Sequence, residues 1–165
     1  MPNGGGWQFL GFMTKSLWVP EILALLLLLS GAIIFAHTIG LLPPTFNEGF
    51  DALGLSQGSA VNPFVVVSGI IYLFITLVMV LTATFFKYTA KAFAPEDRMR
   101  GVALTRQMLS WIKVWIAAFG LVSTLPIVLG AADSMLNVVM GFGMLWTIGS
   151  FSGRIQRIGQ SGGLK

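Results

Sequence analysis

The chain has 165 residues, of which 55% are hydrophobic and only 10% are charged, and its mean hydropathy is +0.83. Soluble domains carry about 25% charged residues, so this chain has too few polar side chains to cover a soluble surface and is predicted to be an integral membrane protein. It contains no cysteine, which excludes disulfides, thiolate metal sites and thiol redox chemistry.

Four apolar segments have about the length that a membrane-spanning helix needs, roughly 20 residues. They cover residues 17–42, 64–86, 108–129 and 135–151. The sequence therefore predicts an all-α fold, in which residues 1–165 form a single domain of four transmembrane helices. Because the last two segments are separated by a very short turn, helices three and four are predicted to form a tight antiparallel hairpin.

The first segment contains the run WVPEILALLLLLSGAIIFAH, with the carboxylate of Glu21 near its start. A signal peptide is disfavoured, because the apolar run is too long and its basic flank is a single residue, Lys15. Glu21 follows Pro20, so we expect it in the first helical turn, where the helix dipole favours a negative charge. The alternative is a functional carboxylate within the membrane.

His37, the one histidine of the chain, lies near the other end of this segment, and Pro43-Pro44 is predicted to end the helix. It is a candidate ligand for a chlorin or haem, a candidate pH sensor, or a structural residue at the membrane interface. The structural reading is favoured, and the sequence predicts neither a metal site nor a cofactor.

The second segment is bulky on most faces, which is typical of a helix in wide contact with lipid. A basic cluster follows it. This cluster is predicted to bind anionic headgroups or, alternatively, a cytoplasmic partner protein. Its members are Lys87, Lys91, Arg98, Arg100 and Arg106.

The third helix is predicted to begin near Pro95, because proline suits the first position of a helix and acidic residues suit its first turn. Lys113 lies a few residues inside its apolar segment, at a depth similar to that of Glu21. We predict an interhelical ion pair between Glu21 and Lys113. The alternative is a lysine that extends to the headgroups on its own.

The fourth segment is rich in small residues, which let transmembrane helices approach one another closely. The predicted packing residues are Gly141, Gly143, Thr147, Gly149, Ser150 and Gly153. Asp133 or Ser134 is placed to cap this helix, and Pro126 is predicted to kink the preceding one.

The basic residues predict the orientation of the chain. All ten lysines and arginines fall on one side of the four-span arrangement, while the connections 43–63 and 130–134 carry only acidic charges. By the positive-inside rule, both termini are cytoplasmic in a multi-pass protein of a bacterial inner membrane. This placement also explains the basic pI without nucleic acid.

The predicted function is that of a non-catalytic subunit in a larger inner-membrane complex of the secretion, conjugation, respiratory or photosynthetic type. Its partners would be anionic lipid and other integral membrane subunits. The apolar segments lack the polar clusters on which membrane enzymes depend, so no enzymatic activity is predicted. The alternative is a small channel or transporter subunit that forms homo-oligomers.

Overall fold

The computed structural model describes residues 15–43, 50, 64–89, 95–124 and 133–162. These residues form four helices and no strand, which confirms the predicted all-α fold for the described part of the chain. The helices are α1, Lys15–Thr38; α2, Phe64–Thr89; α3, Pro95–Val122; and α4, Asp133–Gly162.

Two of the described helices contain a stretch that is long and apolar enough to cross a membrane. These stretches are Leu17–Thr38 in α1, with a mean hydropathy of 2.4, and Val65–Thr82 in α2, with a mean hydropathy of 2.6. Both helices are apolar on nearly all sides, whereas α3 carries Arg106 and Lys113 along its length. The helices thus differ in how much polar surface they bring to the bundle.

Helix α1 ends four residues earlier than the predicted residue 42. Gly40 has a positive φ of 75°, which a residue without a Cβ adopts at little cost. The Leu41 N–H donates to the carbonyl of Ala36 at 2.9 Å, and the Gly40 N–H donates to that of His37 at 3.0 Å. This glycine-based C-terminal cap ends the helix, so the prediction that Pro43-Pro44 ends it was wrong.

The start of α1 also changes the explanation of Glu21. The helix begins at Lys15 and has no acidic residue in its first turn. Glu21 therefore lies in the second turn, where the helix dipole contributes little. The prediction that this carboxylate stands in the first turn was wrong, and its charge has to be met by other groups.

Helix α3 begins at Pro95, as predicted, but its regular hydrogen bonding ends at Val122 rather than at residue 129. The chain turns at Ser123 and Thr124, where the Thr124 N–H donates to Leu121 in a tighter turn. A proline at 126 cannot donate to the carbonyl of Val122, which favours an end at this point. The predicted kink at Pro126 lies outside the described residues.

Helix α4 is longer than the predicted segment 135–151, because it begins at Asp133 and continues to Gly162. The extra turns include Arg154 and Arg157, so this helix passes from an apolar portion into a basic one. The capping role predicted for Asp133 and Ser134 depends on side chains that lie outside the described part.

Helix α3 is central, because it packs against each of the other three helices, while α4 packs mainly against α3. The contacts give the relative directions of the first three helices. Glu21 of α1 meets Lys113 of α3, and farther along Gly31 approaches Leu121, so α1 and α3 run parallel. Val65 of α2 lies beside Gly31, whereas Tyr72 lies beside Glu21, so α2 runs antiparallel to both.

The helices are staggered along the bundle. Helix α2 begins at Phe64, next to the level of Gly31, so the part of α1 from Gly31 to Thr38 rises about 10 Å past it at 1.5 Å per residue. At the opposite end, α1 begins only about 9 Å below Glu21, whereas α3 extends about 27 Å below Lys113. The polar contacts described below therefore lie near one end of α1 but well inside α2 and α3.

Candidate functional site

The largest fully buried side chain among the described residues is that of a charged residue, Lys113. Its Nζ donates to Oε2 of Glu21 at 2.7 Å, and the two residues belong to different helices, α3 and α1. The side chain of Lys113 is 1% exposed and that of Glu21 is 19% exposed. The structure therefore brings the two residues of the predicted ion pair into direct contact, and Lys113 does not extend away from the bundle.

Two further residues complete the surroundings of Glu21. The hydroxyl of Ser110 donates to Oε1 at 2.7 Å, and the hydroxyl of Tyr72 donates to Oε2 at 3.4 Å. The Nζ of Lys113 also lies 4.3 Å from the centre of the Tyr72 ring, a cation–π distance. We call Glu21, Tyr72, Ser110 and Lys113 the polar cluster. It joins α1, α2 and α3.

Ser110 differs from the other buried serines and threonines in the group to which its hydroxyl donates. Most buried serines and threonines in the described helices donate to a carbonyl of their own helix, three or four residues back. Ser68, Thr82 and Ser123 do so, at 2.7–2.8 Å. Ser110 instead donates across the interface to Glu21, so its hydroxyl helps to orient the carboxylate.

Helical periodicity explains why the polar cluster forms at the α1–α3 contact. On α3, positions 106, 110, 113, 117 and 121 recur every three or four residues and lie on one face. Small residues above the polar cluster, Ala24 and Ala117, are fully buried in the apolar core, and a Cβ on Gly31 would stand 3.6 Å from the Leu121 Cα. Such close approach is typical of small residues at helix crossings. It brings the side chains of Ser110 and Lys113 within hydrogen-bonding distance of Glu21.

A second cation on the same face of α3 also has an oxygen acceptor on an earlier helix. The Nε of Arg106 donates to the backbone carbonyl of Met79 in α2 at 3.2 Å. Arg106 lies about 10 Å below Lys113 along α3. Helix α3 thus presents two cations along one stripe, and α1 and α2 each provide one oxygen partner.

The charges of the polar cluster balance, and both oxygens of its carboxylate accept hydrogen bonds from within the cluster. The carboxylate accepts hydrogen bonds at both oxygens, and the ammonium group is matched by one negative charge. In a medium of low dielectric constant a matched pair costs much less than either charge alone. The arrangement therefore favours one packing of α1, α2 and α3 over others.

His37 lies on another part of α1 and takes no part in the polar cluster. It is fully buried, and its ring stacks on Phe50, with the ring centres 4.3 Å apart and the planes 18° from parallel. The contact with Phe50 joins the connection after α1 to the end of that helix. Ligation of a pigment or haem by His37 stays a prediction, and the described residues contain no cluster of three metal-ligating side chains.

The contact between α3 and α4 is built around Trp115. Its Nε1–H donates to Oγ1 of Thr147 at 3.2 Å, and that hydroxyl donates to the Gly143 carbonyl at 2.8 Å. The indole lies against Gly143 so closely that a Cβ there would overlap Cζ2 of the ring. Two of the predicted packing residues, Gly143 and Thr147, therefore receive a neighbouring helix.

The other small residues predicted for packing lie elsewhere. A Cβ on Gly141, Gly149 or Gly153 would meet no atom of the described residues within 4 Å, and Ser150 is exposed and donates to its own helix at Thr147. Gly149 and Gly153 recur at helical spacing with exposed Phe142 and Trp146 and so share one side of α4, whereas Gly141 and Ser150 lie off that side. Their packing role stays a prediction, since it depends on contacts beyond this part of the chain.

The residues of the predicted basic cluster are separated along two helices. Arg100 is exposed, Arg98 and Arg106 are half-buried, and all three belong to α3. Lys87 falls in the last turns of α2, and Lys91 lies outside the described residues. Binding of lipid headgroups or of a partner by this cluster stays a prediction.

Sequence reasoning did not identify Ser110 and Tyr72 as members of the polar cluster. A signal for Ser110 was present, because it stands three residues before Lys113 and therefore on the same helical face. Tyr72 offered only a hydroxyl in an apolar helix.

Comparisons of the chain with protein-family models, curated proteins and solved structures give no match.

Proposed function

We propose that this chain is a non-catalytic, multi-pass subunit of a larger inner-membrane complex. The observation that carries the proposal is the inverted distribution of polar and apolar side chains. Lys113, His37 and Ser110 are fully buried, whereas large apolar side chains on the outer faces of α1 and α2, such as Phe74, are exposed. Burial of polar groups away from an apolar exterior is expected where lipid, not water, is the solvent.

The proposed topology has four spans with both termini in the cytoplasm. Helices α1 and α3 run parallel and α2 antiparallel, which is compatible with three successive crossings. The fourth crossing, by α4, would return the chain to its starting side and complete the hairpin of α3 and α4. The absence of lysine and arginine from residues 43–63 supports an outward position for that connection.

A role in assembly is supported by the outer side of α4. This helix packs mainly against α3, and away from the Trp115 contact exposed Phe142 and Trp146 share one stripe with Gly149 and Gly153. Transmembrane helices associate through such surfaces. The polar cluster, whose charges are balanced, would serve to keep the first three helices in a fixed arrangement while α4 meets a neighbour.

The test is photocrosslinking in native membranes, followed by purification in mild detergent and native mass spectrometry. A photoreactive phenylalanine replaces Phe142 on α4, which is 71% exposed, and in a matched control it replaces Phe74 on α2, which is 64% exposed. We expect Phe142 to give one discrete adduct with a different membrane protein at fixed stoichiometry, and Phe74 to give lipid adducts.

Adducts only between copies of this chain, together with a homogeneous homo-oligomer, would replace the subunit proposal by the channel or transporter alternative. A monomer without any adduct at Phe142 would contradict both. Recovery of the chain in the soluble fraction would contradict the membrane assignment itself.

A further inference from the structure

The central helix of the bundle carries one buried cation, Lys113, and one half-buried cation, Arg106, on the same face. Among the described residues, the stretches that are apolar enough to span a membrane belong to α1 and α2, and both precede α3 in the chain. Helix α3 brings Arg106 and Lys113 to the interface with those helices. The cost of placing α3 in a membrane therefore depends on what its cations meet there.

We propose that α1 and α2 form the receiving surface on which α3 enters the membrane, and that Glu21 is the required counter-ion for Lys113 in that step. This inference rests on the membrane topology in the proposed function and adds an order of assembly to it. Chains emerge and fold from the N-terminus, so α1 and α2 are available when α3 is made.

The geometry supports this order because the earlier helices provide the oxygen acceptors. Glu21 of α1 accepts from Lys113 at 2.7 Å, and the Met79 carbonyl of α2 accepts from Arg106 at 3.2 Å. A lysine within a membrane-spanning helix is costly to insert when it has no partner. Lys113 is 1% exposed in the bundle, so its charge is compensated there by Glu21 and not by water or headgroups.

The dependence is predicted to run in one direction. Helix α1 has a long apolar stretch on the far side of Glu21, which is itself partly exposed, so α1 has little need of Lys113 in order to insert. Helix α3 loses its main barrier when Lys113 is replaced by an apolar residue. A pair that only stabilises the finished bundle would instead have no influence on which side of the membrane α4 begins.

The absence of cysteine from the chain makes single-cysteine topology mapping direct. Met99 lies at the start of α3 and Met135 at the start of α4, and both are exposed. Each is replaced by cysteine in a separate full-length protein, and a membrane-impermeant maleimide is applied to vesicles of known orientation. In the parent chain we expect the two cysteines to react from opposite sides.

With Glu21→Gln, we expect the cysteine at 135 to move to the side of the cysteine at 99 in most molecules. Lys113→Met alone should keep the two cysteines on opposite sides, and Glu21→Gln combined with Lys113→Met should restore them to opposite sides. The exchanged pair, Glu21→Lys with Lys113→Glu, should also restore them and guards against a general folding defect. Tyr72→Phe and Ser110→Ala are matched controls that keep both charges and should leave labelling unchanged.

Labelling from opposite sides in the Glu21→Gln protein, as in the parent, would overturn the inference and leave the proposed function intact. Loss of opposite-side labelling in the Lys113→Met protein would also overturn it, because the dependence would then run both ways. Labelling of both cysteines from the same side in the parent would contradict the proposed topology itself.

Discussion

Helix α3 contacts α1 on one side and α4 on another, and the two contacts are built differently. The α1 contact extends along the helix from Glu21 to Gly31. It combines the ion pair with Lys113, the hydrogen bond from Ser110 and a close approach at Gly31. The α4 contact depends on one indole, Trp115, seated on Gly143 and bonded to Thr147. The first contact fixes a register along the helices through paired charges, whereas the polar part of the second is one neutral hydrogen bond beside a close approach of ring and glycine.

The two contacts therefore differ in how strongly they oppose a shift of one helix along the other. A mismatch at the α1 contact would separate two charges in an apolar medium, which makes other registers costly. A mismatch at the α4 contact would displace one aromatic ring and break one neutral hydrogen bond, which costs less. The two contacts should therefore respond to substitution with different magnitudes.

The largest effect is expected from Lys113→Met, which leaves the Glu21 carboxylate without its cation. We expect a loss of about 3 kcal/mol in the free energy of unfolding, the low end for one partner of a buried pair, because Ser110 and Tyr72 still donate to Glu21. Reversible unfolding in mixed micelles measures it. Glu21→Gln added to Lys113→Met should recover part of the loss, and simple additivity of the two changes would argue against coupling.

Gly143→Ala is expected to have the largest effect at the α4 contact. The new methyl group would overlap the Trp115 ring, so the ring or the helix must move, at a cost of about 1–3 kcal/mol. Gly149→Ala is the matched control, since its methyl group meets no described atom within 4 Å and alanine favours helix. Equal unfolding free energies for the two variants would contradict the proposed seat for the indole.

Thr147→Val tests the hydrogen bond of the same contact while keeping the side-chain shape. The Trp115 N–H would lose its acceptor, and we expect a destabilisation of about 1 kcal/mol. Thr76→Val is the control, because that hydroxyl donates only within α2, to Tyr72. A larger loss for Thr76→Val than for Thr147→Val in the same unfolding assay would show that the bond across the interface contributes little.

The smallest effect is expected from Tyr72→Phe within the polar cluster. The hydroxyl is 3.4 Å from Glu21, so its removal should cost about 0.5 kcal/mol or less, while the ring remains beneath Lys113. Ser110→Ala removes a shorter bond of 2.7 Å and should cost more. The reverse order in unfolding measurements would mean that Tyr72, not Ser110, is the main neutral donor to the carboxylate.

Much of the helical architecture follows from hydropathy alone. Long apolar runs predict α1 and α2, and Pro95 with its acidic neighbours predicts the start of α3. The approach of Glu21 to Lys113 was predictable because two opposite charges near the same depth of an apolar bundle lower each other's cost. The helix start depends on residues next to one another in the chain, and the ion pair depends on the high cost of an unpaired charge among apolar side chains. The sequence is therefore sufficient to predict both.

Other features required the packed structure. The end of α1 at Gly40 competes with two later prolines, and only the backbone conformation shows that the glycine acts first. The choice of Gly143 over Gly141 or Gly149 as the seat of Trp115 depends on the rotation of α4, which a stripe of several glycines leaves open. Tyr72 joins the polar cluster because α2 packs against α1 at the level of Glu21. This position depends on the tertiary packing, and no nearby residue in the sequence indicates it.

The stagger of the helices has a consequence for the lipid around the molecule. The last turns of α1 rise about 10 Å past the beginning of α2, whereas the apolar stretch of α2 continues past Tyr72 to Thr82, below the level of Glu21. In a bilayer, the apolar belt would then follow a step around the bundle instead of a flat ring. The bilayer would have to become thinner on one flank of the protein and thicker on the other, at a fraction of a kcal/mol per Å of mismatch. In a bilayer, a protein of this shape would select its annular lipids, and a neighbouring protein with the opposite step would relieve that deformation.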